Sequence, residues 1–367
     1  METIKIKDVT SHLERFAPPS YQESYDNSGL LTGDREWLVK GILLTLDCIE
    51  SVVDEAIERN CNLIIAHHPI IFKGLKKITG SNYVERTIIK ALKNDIAIYA
   101  IHTNLDNVIR GVNHKIAEKI GLVDLEILSA KDDSMSKLVT FIPQKDVEQV
   151  MVALHEAGAG NIGRYEHCSF QILGKGTFRP GPDTNPHIGK AGEQETVDEI
   201  RAEVIFPSNQ KNQVLKALRE SHPYEEVAYY LSPLDNAHQE VGAGIIGRLT
   251  TPMEPLAFLR RLKDVMNTAS IRYTELPKTP IEQVAVCGGA GSFLLPVAKA
   301  KGASAYVSAD FKYHEFFDAE GQILIADIGH YESEQFTKDL LKEVLDKKFP
   351  NFALYFSKTV TNPISYL

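Results

Sequence analysis

The sequence lacks the features that mark secreted, membrane-spanning and disulfide-stabilised proteins. Its cysteines (Cys48, Cys61, Cys168 and Cys287) stand alone, without the CxxC spacing of structural zinc sites, which suits a reducing compartment. No run of about 18 apolar residues occurs, so no membrane span is expected. The first residues carry charges and no apolar core, so no secretory signal is expected either. We therefore expect a cytoplasmic protein without membrane association.

Positive charge is also scarce. The 40 Lys and Arg residues are outnumbered by 49 Asp and Glu residues, which gives a formal net charge of −9. Because binding to nucleic acid depends on neutralising phosphates, this balance makes DNA and RNA poor candidate partners. With 367 residues, 43% of them hydrophobic and 24% charged, the chain has the composition of a globular protein with two or three domains.

Apolar strands alternate with amphipathic helices at both ends of the chain. The predicted strands of the first part are residues 40–47, 62–68 and 96–106, and those of the last part are 283–289, 304–311 and 323–330. Strands that are apolar nearly throughout indicate parallel sheets buried on both faces by helices. We predict a duplicated three-layer α/β unit whose halves are residues 1–128 and 237–367.

A segment of different character, residues 129–236, separates these halves. It contains two similar strand–helix patterns, at residues 137–160 and 201–223, and each is followed by a further strand. Two such units in tandem predict a ferredoxin-like α+β domain inserted between the halves.

Side chains able to bind metal gather where the predicted strands end. Ligands of open α/β sheets bind beyond the carboxyl ends of the strands. His67 and His68 follow one strand, Asp106 ends another, and His330 and Glu334 stand four residues apart where a third turns into a helix. One such histidine is more often a packed core residue, and Asp106 alone could cap a turn. The coincidence of all three positions favours a functional site.

Three imidazoles and two carboxylates suit Zn²⁺ or Fe²⁺ first, and also Mn²⁺ or Ni²⁺. Neighbouring strand residues point to opposite sides, so His67 and His68 could each serve one of two ions about 3.5–4 Å apart. Water would occupy the open coordination positions, and the metal ion would lower the pKa of this water towards about 7. His102 could orient a ligand or carry protons, or simply pack in its strand.

Four stretches resemble a known family: AHHPIIFKG (66–74), IHTNLDNV (101–108), DIGHYESE (327–334) and SYDNSGLLTGD (24–34). They look like the GTP cyclohydrolase I type 2 homologues, which are related to the NGG-interacting-factor-three proteins. The insert is similar to the CutA and PII-like fold, most visibly at SHPYEEVAYYL (221–231). The resemblance implies two divalent metal ions per chain on His67, His68, Asp106, His330 and Glu334. It also implies a ring-shaped homohexamer.

Two kinds of function fit these observations. The first is a metal-dependent hydrolase in which a metal-bound hydroxide attacks a nucleotide-like or other small substrate. The second is a metal-binding or regulatory ring-shaped scaffold that catalyses nothing. The sequence names neither the substrate nor the native metal.

Overall fold

The computed structural model describes residues 3–132, 134–236 and 238–367. The chain divides into two compact units. The larger unit consists of the chain up to Ser129 together with Glu240–Leu367, and the smaller consists of Ala130–Gln239. No helix among the described residues has both the length and the hydropathy to cross a membrane.

The first half of the larger unit alternates helices and strands. Its helices are α1 (Ile6–Phe16), α2 (Glu50–Glu58), α3 (Tyr83–Lys93), α4 (Thr103–Asp106) and α5 (Val112–Ile120). Its strands are β1 (Gly29–Thr32), β2 (Ile42–Thr45), β3 (Leu63–Ala66), β4 (Ala97–Ala100) and β5 (Leu122–Ala130). All residues of β2, β3 and β4 are buried. Alternate residues of these strands pack with α2 and α3 on one face and with a hydrophobic cluster that includes α1 on the other, which explains their continuous apolar runs.

The smaller unit has its own sheet and core. Its elements are β6 (Met135–Pro143), α6 (Val147–Glu156), β7 (Phe170–Phe178), β8 (Glu195–Pro207), α7 (Lys211–Ser221) and β9 (Tyr229–Leu234). The antiparallel order β7-β8-β6-β9 is that of a ferredoxin-like sheet. Leu138, Ala202 and Phe206 face both helices and form the core with them.

The second half of the larger unit also alternates strands and helices. Its strands are β10 (Gly242–Met253), β11 (Arg272–Tyr273), β12 (Ile281–Ala290), β13 (Ala305–Ala309), β14 (Leu324–Asp327) and β15 (Leu354–Phe356). Its helices are α8 (Pro255–Val265), α9 (Leu295–Ala300), α10 (His330–Glu334) and α11 (Thr337–Asp346).

The two sheets of the larger unit share one arrangement. Their orders are β1-β4-β3-β2-β15 and β11-β14-β13-β12-β10-β5. In each sheet three neighbouring strands, β2-β3-β4 or β12-β13-β14, run parallel, and an antiparallel edge strand, β1 or β11, pairs with the third. In the first sheet β15 adds a fourth parallel strand beside β2. This mixed α/β architecture confirms the predicted fold class.

Two predicted elements were wrong in extent. The strand expected to reach Asp106 ends at Ala100, and Asp106 instead closes helix α4. The chain turns because the side chain of Asn104 accepts a hydrogen bond from the His102 amide, and Asp26 accepts one from the Thr103 amide. The strand expected over residues 323–330 ends at Asp327, and the chain then forms α10 and α11. Phe336, the residue before α11, packs against the core.

Candidate metal centre

Strand β3 delivers two histidines to the carboxyl edge of its sheet. His67 is fully buried, and its Nδ1 lies 2.8 Å from the carbonyl oxygen of Ile101. Because a carbonyl oxygen can only accept, Nδ1 donates the hydrogen bond and the lone pair of neutral His67 lies on Nε2. That Nε2 is buried and has no hydrogen-bond partner among the described residues. A buried imidazole nitrogen in this state is available as a ligand.

Two carboxylates lie near this nitrogen. Nε2 of His67 is 3.6 Å from Oδ1 of Asp106 and 3.7 Å from Oε1 of Glu334. These distances are long for hydrogen bonds, and Oδ1 of Asp106 is also buried without a described partner. Two ligands of one tetrahedral ion, with bonds of about 2.0–2.2 Å, lie about 3.4 Å apart. The spacing therefore fits ligands of a shared ion better than a hydrogen-bonded network.

A second group of donors forms around helix α10, whose first and last residues are His330 and Glu334. Oε2 of Glu334 lies 2.9 Å from Nε2 of His68 and 3.2 Å from Nε2 of His330. The two imidazole nitrogens are 3.3 Å apart. Gly289 makes room for this carboxylate, since a Cβ there would lie 2.5 Å from Oε1 of Glu334. Glu334 thus presents one oxygen to each group of donors.

The ionisable groups of the pocket shift one another's pKa values. Burial opposes charge on His68 and His330, but the nearby carboxylates outweigh it and raise the pKa of His68 to about 9 and that of His330 to about 11. The same histidines hold the pKa of buried Glu334 well below its usual range. Burial and the negative charge of Glu334 raise the pKa of Asp106 to about 7. Protons here balance buried anions, a role that a divalent cation can also fill.

In each of four histidines around the pocket, Nδ1 is hydrogen-bonded to a carbonyl or carboxylate oxygen at the periphery, and Nε2 remains available to the interior of the pocket. Such outer hydrogen bonds fix ring orientation and tautomer in metal sites. The pairs are His67 with the Ile101 carbonyl, His68 with Asp47 at 2.8 Å, His102 with Asp26 at 2.7 Å and His330 with Asp310 at 2.7 Å. Three groups of possible ligands result, each with its donor atoms within 4.8 Å of one another: His67, His68 and His102; His68, His330 and Glu334; His67, Asp106 and Glu334.

The structure therefore brings the five predicted ligands and His102 together in one pocket. His102 was expected to orient a ligand, to carry protons or to pack in its strand. Its ring centroid lies 5.2 Å from that of His67 and 5.3 Å from that of His68. Its place among the donors makes it a candidate ligand as well.

Sequence reasoning missed Asp47 and Asp26. Asp47 lies two residues after the end of β2, so the strand-end rule that found His67 could have found it. Asp26 precedes the antiparallel strand β1 and gave no such signal. Burial opposes its charge, but hydrogen bonds from His102 and Thr103 hold the pKa of Asp26 well below its usual range.

Comparison with known proteins places the whole chain in one family. The model of a family described as Duf34/NIF3 (NGG1p interacting factor 3) matches residues 4–363. The chain belongs to the Duf34/NIF3 family. It is 40% identical over 372 residues to a Bacillus subtilis protein named GTP cyclohydrolase 1 type 2 homolog, with all of both chains covered. It is 41% identical over 364 residues to a Halalkalibacterium halodurans protein of the same name, with 98% of each covered.

A solved structure agrees with this assignment. The crystal structure of a Bacillus cereus protein related to NIF3 superposes with a TM-score of 0.87 at 38% identity and covers 100% of both chains. The family resemblance inferred from the histidine motifs is therefore confirmed. The Duf34/NIF3 chain described here contains histidine and carboxylate clusters that could hold metal ions.

Proposed function

We propose that the pocket binds two divalent metal ions and that the protein is a metal-dependent hydrolase of small, nucleotide-like substrates. The observation that carries this proposal is the orientation of Glu334. Its Oε1 is directed at His67, and its Oε2 is directed at His68 and His330. A carboxylate with one oxygen in each of two donor groups is suited to bridge two ions.

The residues divide between the two ions accordingly. His67, Asp106 and one oxygen of Glu334 would hold one ion, while His68, His330 and the other oxygen would hold the second. Nitrogen and oxygen donors of this kind suit Zn²⁺ or Fe²⁺ and do not choose between them. Such a pair, when bound, supplies Lewis acidity and water that is acidic enough to lose a proton near neutral pH.

The chain itself supplies orientation and protection from solvent. Three of the imidazole rings are held by hydrogen bonds to Asp47, Asp26 and Asp310. Glu334 is protected from solvent, since only 2% of the residue is exposed. Buried ligands with fixed tautomers need little rearrangement when an ion or substrate arrives.

Two exposed aromatic rings support a substrate with a flat ring. Tyr25 is 62% exposed and Phe72 is 45% exposed, with their ring centroids 6.3 Å apart. Phe72 also lies 6.2 Å from the ring of His102, which connects the aromatic pair to the donor pocket. Nucleobases stack on such rings through their flat faces, without a specific pattern of hydrogen bonds. The name borne by the Bacillus subtilis relative, GTP cyclohydrolase 1 type 2 homolog, is consistent with a nucleotide.

Assembly into a homohexameric ring belongs to the proposal as well. Phe293, Tyr313 and Phe317 of the larger unit are each more than half exposed, at 63%, 72% and 65%. Exposed aromatic side chains of this number favour a contact between copies of the chain. Light scattering of the purified protein should give six times the chain mass, and a monomer would contradict the ring.

The decisive experiment is elemental analysis of the purified protein, after reloading with Zn²⁺ or Fe²⁺. We expect close to two equivalents per chain. Glu334→Ala should lose both ions because it removes a donor from both groups, and His67→Ala should lose at least one. His114→Ala, on helix α5 and outside the donor groups, is the matched control and should keep both ions.

Hydrolysis of a nucleotide panel by the reloaded protein then separates the two functions. Turnover that disappears in Glu334→Ala while the fold is preserved supports the hydrolase. Two bound ions without turnover across the panel would favour the metal-binding scaffold instead. Protein that takes up no metal would refute the proposal as a whole.

A further inference from the structure

The smaller unit contains a cleft of about 640 Å³ that lies on the sheet face opposite its helices. Phe141, Arg201 and Ile172 are direct neighbours across β6, β8 and β7, so their side chains share that face. The helices cover the other face, where Ala202 and Phe206 form the core. A cleft of this volume falls within the range of about 300–1,000 Å³ that is typical of small-molecule sites.

The floor of the cleft is built around a buried carboxylate. Glu199 is 7% exposed, and its Oε1 accepts a hydrogen bond of 2.9 Å from the Tyr224 hydroxyl. Its Oε2 accepts no hydrogen bond from any residue that the structure describes. Gly176 on the neighbouring strand allows this position, because a Cβ there would lie 1.9 Å from Oε2. Glu199 lines the cleft, so a ligand carrying N–H groups would be able to donate to this open oxygen.

Aromatic rings form the walls. Phe178 and Tyr224 stand with ring centroids 5.8 Å apart on one side, and Phe141 and Tyr230 stand 5.6 Å apart on another. Rings at these spacings offer faces and edges that fit a further flat ring. The walls therefore select for an aromatic body, and the floor selects for a donor group attached to it.

A loop covers part of the cleft and is fixed at both its base and its tip. The Gly192 amide donates to the Pro180 carbonyl at 2.9 Å, and Arg179 donates to the Gly192 carbonyl at 2.7 Å. Near the tip, the Asn185 amide donates to the Glu225 carboxylate at 3.0 Å. The side wall formed by this loop is thus in place before any ligand arrives, which reduces the entropy lost on binding.

We infer that this cleft binds a small aromatic molecule whose ring carries an amidine or amino-heterocyclic donor group that pairs with Glu199. The site lies wholly within the smaller unit, and none of its residues belongs to the candidate metal centre. The inference therefore stands or falls independently of the proposed hydrolase.

Titration of the full-length protein with benzamidine, followed by saturation-transfer NMR and calorimetry, tests the inference. Benzamidine combines a flat ring with two N–H donors and a positive charge, while benzoate has the same ring and the opposite charge. We expect saturable binding of benzamidine and none of benzoate. Glu199→Gln should weaken binding about tenfold or more, since a hydrogen bond to a charged group is worth about 1.5–3 kcal/mol.

Two further variants sharpen the result. Gly174 lies directly opposite Glu199 on β7, and a Cβ there would meet nothing closer than a carbonyl oxygen at 4.0 Å. Gly174→Leu should therefore fill the cleft without disturbing the strand, and it should abolish binding. Glu148→Gln, an exposed position on helix α6, should leave binding unchanged.

Three results would overturn the inference. The first is an absence of saturable binding by benzamidine and by aminopyridine at millimolar concentration. The second is binding of benzoate as tight as that of benzamidine. The third is benzamidine affinity that neither Glu199→Gln nor Gly174→Leu reduces, with circular dichroism showing both variants folded.

Discussion

The carboxylate of Glu55 fastens the C-terminal segment to helix α2. It accepts hydrogen bonds from the Ser357 hydroxyl at 2.6 Å, the Lys358 amide at 2.9 Å, and the amide and hydroxyl of Thr359 at 3.2 and 2.9 Å. Arg59 adds an ion pair at 3.0 Å, and the residue is 9% exposed. Four donors on one buried side chain make Glu55 a sensitive position for a conservative substitution.

Glu55→Gln preserves the size of the side chain but replaces one acceptor oxygen with an NH₂ group. The new NH₂ group then faces other donors in either orientation. At the place of Oε1 it meets the Lys358 amide and Arg59, and at the place of Oε2 it meets the donors of Ser357 and Thr359. Because a hydrogen bond to a charged group contributes about 1.5–3 kcal/mol, we expect the free energy of unfolding to fall by about 2 kcal/mol. For a unit of this size the midpoint of thermal unfolding should fall by about 4–8 °C.

The effect should depend on pH in a defined direction. Burial alone would raise the pKa of Glu55, but the hydrogen bonds from Ser357, Lys358 and Thr359 lower it from 4.5 to about 2. A carboxyl group whose pKa is lower in the folded state stabilises the fold above its unfolded pKa and loses that contribution as the pH falls towards the folded value. The difference between wild type and Glu55→Gln should be full at pH 7 and shrink below about pH 4.5.

Urea unfolding at several pH values measures this difference. Glu58→Gln, an exposed position in the same helix, is the matched control and should change stability by less than about 0.5 kcal/mol. Equal stability of wild type and Glu55→Gln, or a difference that stays constant from pH 7 to pH 3, would refute the reasoning.

Two further predictions follow from contacts in the larger unit. Asp47→Asn removes the charge that orients His68 and should weaken metal affinity about 10–100-fold in a chelator competition assay. Asp54→Asn is the control and should not change the affinity, because Asp54 is an exposed residue that pairs with Lys90. Equal affinity of wild type and Asp47→Asn would show that Asp47 does not support the site. Gly33→Ala should lower the free energy of unfolding by about 2 kcal/mol in urea, because the glycine has φ +92° and a Cβ would lie 2.6 Å from that of Ala97; unchanged stability would contradict this.

Sequence reasoning found the parts of the site that belong to regular elements. β3 could be read as a buried strand because all four of its residues are apolar, and His67 and His68 follow it directly. His330 and Glu334 were placed on one helical face by their spacing, as helix α10 bears out. Asp106 was assigned to a strand end because residues 96–101 continue the apolar pattern. The turn that carries it depends on Asp26, which is distant in sequence.

The rest of the pocket depends on contacts that no local pattern encodes. The hydrogen bond between His68 and Glu334 joins residues from opposite halves of the chain. The approach of Glu334 to Gly289 lies within the second half but joins residues that are 45 positions apart (334 − 289). The pairing of each histidine with its outer acceptor also requires neighbouring strands to be in register. Such information becomes available only when the sheets are assembled.

The order of the proposed ligands along the chain determines when the site can form during protein synthesis. His102 and Asp106 follow β4, and His330 and Glu334 follow β14, the strand in the matching position of the other sheet. His68 and Glu334 are 266 residues apart, so at about 5–20 residues per second the ribosome needs roughly 15–50 s to deliver the second after the first. During that interval the smaller unit, which has its own core, can fold. The nascent chain meanwhile presents an incomplete set of the proposed ligands, so the proposed metal centre could form only after Glu334 has been synthesised.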